Sequence, residues 1–585
     1  MKPQGRPQPR DILGLVSYLG RFSPAAFILI LSAAASTGAA PPKPLAPPPL
    51  LDTLAQELDR NYTALRAKAD PAPYFLSYRV HDQENESIAT RLGAILQRSS
   101  SRRRTLDCSV RVGSPQLDNY HLLDGGRPRF TASANLPVED SPDALRQLAW
   151  TETDRAWRAA AQRLLRVKSS AQSHPNSGST PEPPDFSSEK PVQDLRQVPR
   201  YRFSADDWTA RLKRASAAFS EFSAVLNSSV SLSALRDVDS LVTTEGTRLQ
   251  HGRNFFRIIV TASAKGYDGT DLAVMESFEA EDPARLPKDD TLLAAVRKAG
   301  RDLSNLLRAQ PADPYVGPAI LSGRAAGVFF HEIFGHRIEG HRQRDETEGQ
   351  TFSASLNKPV LPAFLSVTFD PTRHSLGPID LNGWYDFDDE GIPARPVPLI
   401  EHGVLKTFLM SRTPAAGIVH SNGHGRAQPG MEPVSRQSNL FVESSRQVPD
   451  AQLRKLLIEE VRKQNKPYGL FFEQVTGGYT TTRRQGLQAF TVIPLVVYRV
   501  YPDGRPDELV RGADIVGTPL SSFAKILATS DRPEVFNGYC GAESGSVPVS
   551  AVSPALLVSE IEIQRKPQSK DMPPLLPRPR TEVAR

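Results

Sequence analysis

The run Val328-Phe329-Phe330-His331-Glu332-Ile333-Phe334-Gly335-His336-Arg337-Ile338-Glu339-Gly340-His341 constrains the fold more than any other stretch of the chain. Its apolar residues call for burial, yet three of the chain's eleven histidines stand among them, with a glutamate directly after the first. Neutral imidazole is a common zinc ligand, and a carboxylate beside a zinc-bound water can take its proton, so the pattern reads as a site for metal-assisted hydrolysis. Two unrelated, hydrogen-bonded histidines on a buried helix are the plainer alternative. In the usual zinc-protease helix the two histidines lie four residues apart and point at one ion. His331 and His336 are five apart, and on a regular α-helix their rings would be separated by about 140°. If both bind one ion, the backbone near Gly335 must leave regular helix, and a single widened turn of the π type is the expected device.

A third donor is needed, and the residues leave three candidates. His341 lies ten residues after His331, and Glu339 would reach the same ion if the helix continued past His336. Cys540 lies far away in Gly538-Tyr539-Cys540-Gly541-Ala542-Glu543-Ser544-Gly545, which reads as a glycine-rich loop running towards a β-type stretch over 555–563. Its thiolate would be a strong zinc ligand. The chain's only other cysteine is Cys108, and a Cys108–Cys540 disulfide would remove that thiolate from a metal.

Around this stretch the sequence predicts an α+β fold of two domains, antiparallel sheets with flanking helices, the histidine helix lying in a mostly β C-terminal half. Residues 1–40 place three arginines before a short apolar run and a cluster of small residues, the layout of a signal peptide. The apolar run is too short for a stable membrane span, so the expected location is exported, periplasmic or secreted. An N-terminal domain is expected over 41–310. It starts with an amphipathic helix marked by Leu51, Leu54, Leu58, Tyr62 and Leu65, and continues into strands at 74–80, 92–97 and 106–112. A long helix over 144–167 precedes a Ser- and Pro-rich segment, about 169–198, that reads as an exposed linker or insertion. A helix capped by Ser204, a hairpin turning near Gly252 and a helix over 291–308 complete this half. The second domain, 311–566, opens with a strand at 315–321 that feeds the histidine helix. Hairpins then turn at 401–403 and 502–504, and helices are expected over 450–464 and 520–529. The last residues, 567–585, are rich in proline and charge and read as disordered.

A formal charge of +6 over 585 residues is thinly spread, and the basic clusters lack interleaved aromatics, so no nucleic-acid partner is expected. His374, His402, His420 and His424 read as ordinary loop histidines.

The pairing of His331-Glu332…His336…Glu339 with a distant Cys540-Gly541 before Val547-Pro548-Val549 resembles the TldD/PmbA family of metallopeptidases. Weaker echoes are Thr244-Glu245-Gly246, Asp389-Glu390-Gly391 with Leu399-Ile400-Glu401, Gly477-Gly478 and Gly512-Ala513. The resemblance spans roughly residues 50 to 565 and implies that His331, His336 and Cys540 are zinc ligands and Glu332 the catalytic base. Glu339 would then either orient a ligand histidine from behind or merely cap or solvate the helix end, and His341 is a further candidate for a place behind the ligands. It implies a zinc peptidase acting on peptides or unfolded segments by Glu-assisted attack of zinc-bound water. The expected partners are such a substrate and a second copy or a related subunit. A zinc esterase or deacylase, and a metal-stabilised assembly protein without catalysis, remain the competing readings, because metal chemistry alone does not select amides.

Overall fold

Leu51, Leu54 and Leu58 recur at helical spacing and are buried on one face of helix α1 (Pro49–Lys68), against which the long helix α2 (Pro142–Ser173) packs. These elements belong to a computed structural model of the chain. It describes residues 49–566 apart from 124–131, 174–181, 201, 416, 486–488 and 518–521, together with 572–574, 576 and 579. The signal peptide expected at 1–40 and most of the tail expected at 567–585 lie outside the described residues.

Both helices rest on a sheet with eight strands among the described residues, built around two long antiparallel hairpins side by side. The first hairpin is β1 (Pro73–Arg91) with β2 (Ala94–Ser114), the second β3 (Asn227–Thr243) with β4 (Arg248–Lys265), and β1 pairs β3 along most of its length. Period-two alternation sorts β1 into two faces: Leu76, Tyr78 and Val80 join the apolar cluster with α1 and α2, while Arg79 and His81 point the other way, into a charged layer. Helix α3 (Ala205–Ala217), capped by Ser204 accepting the Asp207 N–H, and α4 (Asp289–Arg308) cover the rest of the apolar face.

The second sheet is mixed and has thirteen strands among the described residues. Strand β5 (Tyr315–Leu321) lies at its centre, and helix α5 (Gly323–Ile333) follows at once, capped by Ser322. Ala319 and Leu321 face α5, whereas Ile320 faces helix α6 (Asp450–Lys463), so the two helices cover opposite sides. Strand β6 (Gly469–Thr480) runs parallel to β5, and the hairpin β7 (Ile526–Ala542) and β8 (Gly545–Arg565) supplies the longest antiparallel ladder. The α+β class, the mainly antiparallel pairing and the mostly β character of the C-terminal part agree with the sequence. Among the described residues no helix is long and apolar enough to cross a membrane.

Several local expectations fail for identifiable reasons. Leu92 and Gly93, both at positive φ, form the tip of the first hairpin, so a strand over 92–97 is cut by its own turn. Gly252 lies inside β4 opposite Val238, and the second hairpin turns at Thr244–Gly246 instead. Residues 169–173 continue α2, and the described part of the Ser/Pro-rich segment is exposed or half-buried except at Asp185, Phe186 and Ser187, which are buried. Phe186 is buried with the guanidinium groups of Arg111 and Arg412 each 3.8 Å from its ring centre. Asp185 accepts from Arg344 Nη2 at 2.6 Å, and Gln193–Leu195 pairs in parallel with β4. Composition missed this because the partners come from distant segments. Residues 526–529, expected to end a helix, begin β7. The glycine-rich loop expected around Cys540 is the end of a β-hairpin whose turn is Glu543-Ser544, with Cys540 opposite Val547.

Candidate metal centre

Helix α5 is apolar almost all round and almost wholly buried, which fixes the direction in which its last turn points. That turn carries His331 and Glu332. The helix then stops at Ile333, and Gly335–Arg337 form a tighter 3₁₀ turn, with the Arg337 N–H donating to the Phe334 carbonyl at 2.9 Å. The backbone departs from regular helix where the histidine spacing requires it, but by ending and tightening rather than by the widened turn expected. Gln437 gives the physical reason. Its side-chain amide donates to the His331 carbonyl at 3.3 Å, and its Oε1 would lie 1.9 Å from any Cβ placed on Gly335, so only glycine lets this side chain reach the helix end. Arg337 completes the cap by donating from Nη1 to the carbonyls of Glu332 and Ile333, both at 3.1 Å, placing a cation at the negative end of the helix.

The result is a meeting of His331, His336 and Cys540, whose donor atoms all lie within 4.8 Å of one another. The two imidazole rings are 5.1 Å apart at 83°, and His336 Nε2 is 3.3 Å from Cys540 Sγ. Tetrahedral zinc with nitrogen and sulfur legs of roughly 2.0–2.3 Å spaces its ligand atoms by about 3.3–3.8 Å, so a cluster of this size and donor chemistry fits the metal. The electrostatics agree. Burial opposes a charged thiol, yet the positive charge of His336 and His331 holds Cys540 well below the usual thiol range. Burial likewise opposes a charged His336, but Cys540 and Glu339 raise it well above the usual imidazole range. The pocket thus favours a thiolate with positive charge beside it.

Of the other candidates, Glu339 is fully buried, with Oε2 3.4 Å from His336 Nδ1 and accepting from Arg342 Nε at 2.8 Å. Burial works against its charge, and His336 and Arg342 overcome this to hold it at about 2. It stands behind the ligand, not in the donor set. His341 turns away to Glu543, which also accepts from Arg342 Nη2 at 2.8 Å. Cys108 and Cys540 are both free, and Cys108 is buried beneath α2 beside Thr153. His424, read as a loop histidine, is fully buried and bonded to Ser438.

Glu332 does not join the cluster but borders it, its Oε2 4.0 Å from His336 Nε2. Burial raises its proton affinity, with the charges of His331 and His336 pulling it back. Gly478 of β6, one of the weaker sequence echoes, lets the strand lie against it: a Cβ there would meet Glu332 Cγ at 2.7 Å. The donor set and Glu332 line a cavity of about 750 Å³ together with Tyr479 to Arg483 and Tyr539. Sequence reasoning did not single out Arg342, Arg436 or Gln437, since the partners of Arg436 and Gln437 lie about a hundred residues away and Arg342 reaches on to Glu543.

Residues 315–565 match the sequence family described as the PmbA/TldA metallopeptidase C-terminal domain. This C-terminal part is that of the TldD/PmbA family. A metalloprotease of Methanocaldococcus jannaschii is 31% identical over 45% of this chain and 53% of its own length. A zinc metalloprotease TldD homolog of Saccharolobus solfataricus is 26% identical over 42% of this chain and 51% of its own. The chain spans about half the length of these curated relatives. The fold extends further: TldE from Thermococcus kodakarensis superposes with a TM-score of 0.58 at 13% identity, covering 88% of this chain and 99% of that one. The relatives do not bear out the signal peptide and export expected from residues 1–40: the curated metalloproteases show no sign of a signal peptide.

Proposed function

We propose that this chain is a zinc-dependent peptidase in which His331, His336 and Cys540 hold the metal and Glu332 is the base. The observation that carries the reading is the convergence of two imidazoles and a thiolate, from segments some two hundred residues apart, beside a buried carboxylate on an open cavity. When bound, zinc would supply the positive charge that acidifies a water and polarises a carbonyl. The residues do the rest. Glu339, at His336 Nδ1, keeps the proton on that nitrogen and leaves Nε2 free to face Cys540. Glu332, with proton affinity raised by burial, takes a proton from the attacking water and returns it to the leaving amine. A cavity of about 750 Å³ has room for a short segment of peptide. The same proposal takes peptides or unfolded segments as substrates and a second copy or a related subunit as the partner, which light scattering on the purified chain tests.

Glu332→Gln removes the proton acceptor and no ligand. Zinc content is expected to stay while turnover of a peptide pool, followed by mass spectrometry, falls by about 10²–10⁴-fold. A variant with near wild-type turnover, or a wild-type protein that cleaves activated esters and no peptide, overturns the reading.

A further inference from the structure

The two segments that carry the donors are gripped by neighbouring residues of a third. Val434–Ser435 pairs with Gly425–Arg426, and the chain leaves this ladder as Arg436-Gln437-Ser438 before entering strand Asn439–Ser444. Its backbone is anchored: the Arg436 N–H donates to the His424 carbonyl at 2.9 Å, and Arg426 Nη1 donates to the Gln437 carbonyl at 2.6 Å. Gln437 reaches the end of α5 at the His331 carbonyl. Arg436 reaches the hairpin. Fully buried, it donates from Nη2 to the Cys540 carbonyl at 2.6 Å, and from Nη1 to Ser544 Oγ at 2.7 Å and the Gly545 carbonyl at 3.0 Å. Its Nε lies 3.5 Å from Glu339 Oε1, on the carboxylate whose other oxygen meets His336.

One guanidinium therefore spans the tip of the hairpin and the carboxylate behind the ligand histidine. The β7–β8 ladder forms without it, through its own backbone pairs along nearly the whole hairpin. What the ladder does not set is where the tip lies relative to α5, and three charge-assisted bonds from a rigid planar fork do set it. We propose that Arg436 is a positioning residue that fixes the Cys540 thiolate at its distance from the His336 imidazole, Gln437 holding the helix side of the same strut. This rests on the zinc reading above, and it adds a residue that is neither a ligand nor the base.

The test compares wild type, Arg436→Gln, Arg436→Lys and a control, Arg412→Gln, which removes another fully buried arginine whose bonds go to Glu245 and the Ser187 carbonyl. Zinc affinity is measured by competition with a chromophoric chelator. Thiolate contact is read from the near-ultraviolet charge-transfer band of the cobalt-substituted protein, and thermal melting of the metal-stripped protein monitors folding. Arg436→Gln is expected to weaken zinc binding by about 10–100-fold and to diminish the cobalt–thiolate band, lowering kcat while KM for peptide stays. Arg436→Lys, which keeps the charge but loses the fork, recovers part of both. Arg412→Gln is expected to lower the melting temperature and leave zinc affinity alone. Zinc affinity within twofold of wild type and an unchanged band in folded Arg436→Gln overturn the proposal, as does an equal loss of affinity in Arg412→Gln. Should Arg436→Gln not fold, Ser544→Ala removes one acceptor of the same fork and is read by the same two measurements. A wild-type protein that binds neither metal brings down the zinc reading itself and the strut with it; a failure confined to the Arg436 variants leaves that reading standing.

Discussion

Among the described residues three places gather three side chains of metal-binding type with donor atoms within 4.8 Å: His331, His336 and Cys540; on the polar face of the first sheet, His81, Asp237 and Asp239; and, behind the first, Glu339, His341 and Glu543; the first two make the comparison. They differ in what surrounds the donors. At the second cluster His81 lies between two carboxylates, Nδ1 2.7 Å from Asp239 and Nε2 3.2 Å from Asp107, and Arg79 stands 3.2 Å from Asp239 and 2.6 Å from Asp389. Burial and Arg79 oppose a charge on His81, but the carboxylates prevail and raise it to about 10, so the imidazole keeps both protons and offers no lone pair. The cations already present neutralise the acids. At the first cluster Arg342 and Arg436 answer Glu339 behind the donors, and the proton on the ligand His336 is one that a metal can replace. Proximity of donors is therefore not the criterion; an available lone pair is.

The comparison predicts opposite phenotypes. Asp239→Asn leaves Arg79 and His81 short of a buried counter-charge, and a loss of about 3–5 kcal/mol of stability is expected, with zinc stoichiometry unchanged. Urea denaturation beside metal analysis checks both halves, and a drop in zinc content would erase the distinction drawn here. Cys540→Ser should do the reverse. If the roughly 10–16 kcal/mol that a zinc site can develop is shared among its ligands, removing the thiolate weakens binding by about 3 kcal/mol, a few hundredfold, while the melting temperature of the chelated protein moves little. Equal zinc affinity in Cys540→Ser and wild type would return the third position to His341 or Glu339.

The two regions also differ in how far the sequence discloses them. His331, Glu332 and His336 sit within six residues, so their spacing alone required a break in the helix near Gly335, and the break is there. Cys540 was legible only through its resemblance to a family pattern, because local residues could not separate a ligand from a disulfide partner. The His81–Asp237–Asp239 cluster left no trace: His81 lies on β1 and both aspartates on β3, brought together by the register of the two strands, which pairs His81 with Asp239. Likewise the strand at 315–321 and the hairpins at 401–403 and 502–504 follow from alternation and turn residues. The burial of 185–187 depends on Arg111, Arg344 and Arg412, which no local pattern names. The form of the break at Gly335 was misjudged for the same reason, since Gln437 comes from a hundred residues downstream.

That contact gives a prediction of intermediate size. Gly335→Ala places a Cβ 1.9 Å from Gln437 Oε1, and Gln437 is fully buried and bonded to the helix end, so it has little room to withdraw. Overpacking of this kind costs about 1–3 kcal/mol, and because the displaced residue sits between His331 and His336, zinc affinity is expected to fall about tenfold as well. An alanine variant that melts lower but binds zinc as wild type would show that the turn shapes the fold without shaping the donor set.

The smallest effect concerns a carboxylate with neither a metal nor a close cation to settle its charge. Glu432 lies on the wall of the cavity and accepts a hydrogen bond at 2.6 Å from the phenol of Tyr120, and burial, against the pull of that bond and of Arg111, pushes it up to about 7. Below its ordinary 4.5 the group carries its proton in both the folded and the unfolded chain and contributes nothing to the pH dependence. Between 4.5 and about 7 the unfolded chain releases the proton while the folded one retains it, so stability declines as pH rises, and above about 7 the cost of a buried charge is complete. The sign is opposite to that of the arginine-paired carboxylates, which stabilise the fold where they are ionised. Glu432→Gln keeps an acceptor for Tyr120 and removes the ionisation. It is expected to gain about 1–2 kcal/mol over wild type at pH 8 and to lose that advantage by pH 5, measured by urea denaturation at the two values. The same difference at both pH values would mean that Glu432 acts through packing, and its carboxyl would then belong with the paired acids of the first sheet.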